Sequence, residues 1–73
     1  MIVTVDTGGT KTLIAGYTET GEITTEFKFP TPPKTHDYVT ELTTHLTALF
    51  SDKQVDIIVV ALPGIILTGL LLR

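Results

Sequence analysis

The sequence predicts an α/β domain: an antiparallel three-strand meander, then a helix, then a strand parallel to the first. Three observations predict it. The first 29 residues contain β-branched and alternating runs separated by glycine turns. Residues 37–50 carry apolar side chains at helical spacing. Residues 56–62 show no polar side chain after Asp56, as expected of a strand buried on both faces.

The elements follow in order. Residues 2–5 (Ile-Val-Thr-Val) are β-branched throughout and predict a short first strand, punctuated by Gly8 and Gly9. Residues 12–18 predict a second strand, and Thr20-Gly21 a tight turn. Residues 22–29 alternate: Ile23, Thr25, Phe27 and Phe29 share one face, and Glu22, Thr24, Glu26 and Lys28 the other. That period of two predicts a half-buried strand at or near a sheet edge. Residues 30–34 (Pro-Thr-Pro-Pro-Lys) are a stiff, extended connector, because proline fixes φ and removes a donor.

The helix is expected over Asp37–Phe50, with Tyr38, Leu42, Leu46 and Leu49 as its apolar stripe and Val39 and Phe50 beside it. Thr35 or Asp37 is suited to cap its start. The threonines at 40, 43, 44 and 47 weaken intrinsic helicity, so the helix depends on packing. A strand, helix, strand succession makes a crossover unit. Pro63-Gly64 ends the apolar strand, and a further hairpin at Thr68-Gly69 is conceivable within Ile65–Arg73.

Size and charge bound the function. A chain of 73 residues holds one small domain, which at this size buries only about 60% of its unfolded surface. There is no cysteine, hence no disulfide and no thiolate zinc site. A formal charge of −3 and a pI near 5.0 argue against nucleic acid as partner. The apolar stretch Ile57–Leu72 is interrupted by Pro63, Gly64 and Gly69 and is shorter than the roughly 20 residues of a membrane span. No signal peptide is visible, so a cytoplasmic protein that does not enter a membrane is expected.

The chemistry concentrates in Asp6–Thr12. Asp-Thr-Gly-Gly-Thr-Lys-Thr between two strands lacks the Gly-Lys pair and following helix of a Walker loop, and its glycine spacing is not that of a dinucleotide fingerprint. It suits a glycine turn in which Gly8 and Gly9 can take positive φ and let a ligand approach. Successive backbone N–H groups in such a turn form an anion-binding concavity. Thr10 adds a hydroxyl and Lys11 a positive charge. Asp6 is a hard oxygen ligand suited to Mg²⁺. The plain alternative is a hairpin turn carrying ordinary surface residues. His36 and His45 lack partners at metal spacing and are expected to be structural or exposed. Asp52 and Asp56 suit turn and strand boundaries, and Glu19 and Glu22 suit solvent.

The string Asp6-Thr-Gly-Gly-Thr-Lys11 after an N-terminal strand resembles the first phosphate motif of the ROK family. That family comprises bacterial glucokinases, N-acetyl-amino-sugar kinases and related repressors within the actin-like ATPase superfamily. The meander of residues 2–29, the Thr31-Pro32 pair and Ala61-Leu-Pro-Gly-Ile65 are similar to family elements as well, so the resemblance spans the chain. It implies a partial ribonuclease-H-like (actin-like ATPase) domain that uses ATP and Mg²⁺. It implies that Gly8, Gly9, Thr10, Lys11 and Thr12 hold the ATP phosphates and that Asp6 positions Mg²⁺. Pro63 and Gly64 would wall the sugar pocket, although a plain strand terminator accounts for them equally.

Some family elements are missing. The Asn-Asp element that supplies the catalytic base, the zinc motif, the second phosphate loop and the adenosine region have no match in the 73 residues. The expected reading is therefore the N-terminal part of an ATP-dependent hexose or amino-sugar kinase, inactive alone, with its base beyond Arg73. A homo-oligomer remains open. Alternatives are a sugar-sensing ROK repressor, whose DNA-binding region would precede Met1, and a non-catalytic association module suggested by the apolar end. Eukaryotic-type N-acetylglucosamine kinases and activator-type ATPases share the Gly-Gly-Thr hairpin, and the Pro-Gly element favours ROK over them.

Overall fold

The β-branched start of the chain forms the centre of a five-stranded sheet. The computed structural model describes residues 1–63 and 65–70, with side chains up to Pro63. In chain order the elements are β1 (Ile2–Thr7), β2 (Lys11–Tyr17), β3 (Ile23–Pro30), α1 (Thr35–Phe50), β4 (Ile57–Leu62) and β5 (Ile65–Leu70). The spatial order of strands is β3-β2-β1-β4-β5. β1, β2 and β3 form the expected antiparallel meander, and β4 runs parallel to β1 with Val3 beside Ile58 and Val5 beside Val60.

Alternation sorts the strands into two faces. Val3, Val5, Ile14 and Phe29 face α1 and are buried with Phe50 and Val55. Ile2, Thr4, Asp6, Lys11, Leu13 and Lys28 belong to the opposite face by register. No element covers that face among the described residues. β4 was expected in the middle of a sheet covered on both sides. Instead every residue of β4 is half-buried, because only Ile58, Val60 and Leu62 turn toward the single helix.

The β2–β3 turn lies where Thr20-Gly21 predicts it. The Gly21 N–H donates to the Thr18 carbonyl at 3.0 Å, and Gly21 sits at φ +89°, a conformation that favours glycine. β3 is an edge strand, as its alternation predicts, but a register shift at Gly16/Tyr17 pairs Ile23 with Tyr17 and takes it off the face of Thr25, Phe27 and Phe29, leaving it 54% exposed.

The helix begins two residues earlier than expected, at Thr35. Lys34 holds the N-cap position in an extended conformation (φ −93°, ψ 133°) with no side-chain cap. An extended backbone is usual at an N-cap, and with Lys34 in that place Thr35 and Asp37 enter the first turn and do not cap it. Asp37 still sits near the positive end of the helix dipole. Thr43 and Thr44 return their hydroxyls to the carbonyls of Val39 and Thr40 at 2.7 and 2.9 Å. The apolar stripe runs through Leu42, Leu46, Leu49 and Phe50, while Val39 is 53% exposed. His45 takes a place in the packing. Its ring lies 4.6 Å from those of both Phe27 and Phe29, and its Nε2 is 3.4 Å from Glu41. This is the structural role expected of it.

Asp56 marks the start of β4, where its carboxylate meets the α-ammonium of Met1 at 2.8 Å. The chain then turns at Pro63, and β5 returns antiparallel to β4 with Leu62 opposite Ile65. Thr68 and Gly69 lie within this strand and not in a turn. Gly64 and residues 71–73 lie outside the described residues. Among those described, no helix is long and apolar enough to cross a membrane.

The helix approaches the sheet closely at Gly16. A Cβ there would lie 2.9 Å from the Phe50 ring, which is itself buried. Gly16→Ala is expected to lower the unfolding free energy by about 1–2 kcal/mol, overpacking outweighing the smaller entropic gain. In a Phe50→Leu background the same substitution should cost clearly less. Denaturant titration of the four variants checks this, and equal costs in both backgrounds would rule the contact out as the cause.

Candidate functional site, an anion-binding hairpin turn

Parallel β1 and β4 bring the motif residues to one end of the sheet. The β1–β2 turn, the connector 31–34, the first turn of α1 and Pro63 all stand at the carboxyl ends of these two strands. Ligands of open α/β sheets bind at such ends.

The turn is a short hairpin. Thr7 pairs with Thr12, and the Gly8 N–H donates to the Lys11 carbonyl at 2.9 Å. Gly9 and Thr10 form its tip. Among the described residues their N–H groups find no acceptor, and the Thr10 hydroxyl has no partner. Two successive donors therefore project from an exposed tip. The positive φ that the two glycines could have taken is not used, since among the described residues only Gly21 has one. Gly8 is required by proximity instead, as a Cβ would sit 3.0 Å from the Lys11 carbonyl oxygen. Gly9 is different. A Cβ there would meet nothing within 4 Å, so the fold itself does not demand glycine, and its bare backbone is open to an outside group.

The turn is braced from two sides. The Thr31 N–H donates to the Thr10 carbonyl at 2.9 Å, and the Thr31 hydroxyl bonds that of Thr12 at 2.7 Å. Thr12 is fully buried, so its side chain holds the turn and is not presented to a ligand. On the other side the Tyr38 hydroxyl bonds the Thr7 hydroxyl. Sequence reasoning placed Tyr38 in the core stripe and Thr31 in a plain connector. It missed their bracing role because hydroxyl pairs 31 and 19 residues apart leave no local signal.

Asp6 and Lys11 are exposed, and neither has an ion-pair partner among the described residues. No group of three or more His, Asp or Glu side chains converges among the described residues. Asp6 thus offers one carboxylate, which is how Mg²⁺ is commonly held when phosphates and waters supply its other ligands. Pro63 is exposed at the β4–β5 turn, and its partner Gly64 lies outside the described residues. Between the connector and α1 lies an apolar cleft of about 420 Å³, lined by Thr7, Thr31, Tyr38, Leu42, Val60 and Leu62 among others.

No family model, curated protein or solved structure matches the chain. The chemistry of the site therefore rests on its own residues.

Thr31→Val would leave the buried Thr12 hydroxyl without its partner. The expected cost is about 1–3 kcal/mol of stability, with faster amide hydrogen exchange at Gly8 and Thr31. Thr12→Val combined with Thr31→Val should be milder than the sum of the single changes. Exchange measured by NMR checks this, and unchanged protection at Gly8 would show that the brace does not hold the turn.

Proposed function

We propose that this chain carries the phosphate-binding hairpin of an ATP-dependent sugar kinase of the ROK type. The whole enzyme would transfer the γ-phosphoryl group of ATP to a hydroxyl of a hexose or amino sugar. The observation that carries this reading is the tip of the turn, with two unpartnered N–H groups, a glycine the fold does not need, and the Thr10 hydroxyl. In this reading Gly8, Gly9, Thr10 and Lys11 cradle the phosphates and Asp6 orients Mg²⁺ through the open face. Thr12 acts behind them as a brace. The resemblance of Asp6–Lys11 and of the Pro63 region to the ROK family names the kinase class, and the meander with its parallel β4 is compatible with an actin-like ATPase domain.

Transfer needs more than these residues supply. Phosphoryl transfer depends on positioning and charge stabilisation from both sides of the moving group, and a base must accept the sugar hydroxyl proton. The sequence contains no asparagine, so it has no Asn-Asp element. Binding of the phosphates is the part of the function that belongs to this chain.

A second reading, a non-catalytic association module, has one observation in its favour. Ile2 is 39% exposed on the open face of the sheet, beside the half-buried Ile57 and Val59. A discrete oligomer in sedimentation, indifferent to MgATP, would select this reading.

The kinase reading is tested by titrating the 73-residue chain with MgATP while following backbone amides by NMR. Shifts should concentrate at Gly8–Lys11. Gly9→Ala should weaken them while leaving thermal stability nearly unchanged, because an added Cβ meets nothing within 4 Å. No response at saturating MgATP would overturn the proposal.

A further inference from the structure

Lys28 was read from the sequence only as a member of the solvent face of β3. The register gives it a more specific place. Leu13 pairs with Asp6 on one side and with Lys28 on the other, so the three share one cross-strand row on the open face. Lys11, two residues from Leu13 on β2, lies on the same face and pairs with Pro30. Lys11 and Lys28 line a shallow hollow of about 200 Å³, with Phe29 and Pro30 also at its wall.

The two lysines are thus diagonal neighbours of like charge. Such pairs across a sheet disfavour each other. A carboxylate would ordinarily be placed between them, yet neither ammonium has an ion pair among the described residues. Glu26, the next residue of β3 on this face, makes none either. Asp6 is separated from Lys28 by the width of β2. The arrangement lacks an anion and leaves room for one beside the free N–H groups of the turn.

We propose that Lys28 is a second cation of the phosphate site, and that with Lys11 it makes the site selective for a magnesium-bound polyphosphate over a single phosphate. This rests on the phosphate-binding reading of the turn and adds a direction to it. The tip donors of Gly9 and Thr10 hold one phosphate. Asp6 serves the metal on the β1 side, and the lysines take the remaining negative charge on the β2–β3 side. A monophosphate can occupy the tip but cannot reach both ends of the row. Lys28 is exposed, so replacing it does not disturb the core.

The probes are MgATP, magnesium tripolyphosphate and orthophosphate, titrated into the full chain with amide shifts as the readout. Lys28→Ala should weaken both polyphosphates about three- to fivefold, the range of an exposed ion pair. It should leave orthophosphate affinity unchanged and the Gly9 and Thr10 shifts intact at saturation. Lys28→Arg should retain polyphosphate affinity within about twofold, and Glu26→Ala should not weaken it. Added salt should narrow the gap between wild type and Lys28→Ala. If Lys28→Ala binds polyphosphate as wild type does while Lys11→Ala does not, the role of Lys28 is overturned and the turn keeps its function. If the wild-type chain binds none of the three probes, the phosphate reading fails together with this one.

Discussion

The close seat of α1 on the sheet at Gly16 is the constraint on which the rest of the structure depends. A helix about 10 Å wide covers roughly two strands spaced near 4.8 Å, and this sheet has five. One helix must therefore be placed where it buries most. The missing Cβ at Gly16 lets the Phe50 ring settle against β2, and the stripe above it then closes over Val3, Val5, Ile14 and Phe29. With no disulfide available, that cluster is the main apolar store of the fold.

The same seat determines what happens at the other end of the helix. Anchoring Phe50 at the base fixes where Tyr38 emerges, and Tyr38 meets Thr7 at the last residue of β1. The stiff connector that feeds the helix leaves β3 beside the turn, where Thr31 reaches both Thr10 and Thr12. The hairpin tip is consequently held by the core without being part of it. A binding turn gains from this, because donors already fixed in direction lose little freedom when a ligand arrives. Core packing and the proposed phosphate recognition would in this sense be one structure.

Much of this was legible in the sequence, and the misses have physical causes. The meander, the helix and the parallel fourth strand follow from periodicity, and the motif residues follow from their order after a strand. The helix start was misplaced because Lys34, which makes no side-chain cap, takes the N-cap position, whereas a capping side chain was expected. Val39 and His45 both flank the stripe in the sequence, yet Val39 is 53% exposed while His45 packs against the rings of Phe27 and Phe29, and aromatic contacts across elements are invisible to helical spacing. The return of β5 along β4 was not resolved because Ile65–Leu70 is apolar without a period that separates its faces. Thr31, Tyr38 and Lys28 were hidden for a common reason: each acquires its partners only through strand register or long-range contact.

The distribution of charge over the two faces completes the physical picture. α1 turns one face into core, and an unpaired charge buried there would carry a heavy desolvation cost. Asp6, Lys11 and Lys28 all stand on the face α1 leaves open. The helix side instead holds an apolar cleft with the Thr7 and Tyr38 hydroxyls at its wall. The glycine turn stands at the boundary between them. In the proposed reading a phosphate chain and its metal would take the charged side, where water screens the lysines until the ligand displaces it. An apolar or hydroxyl-bearing group fits the other side.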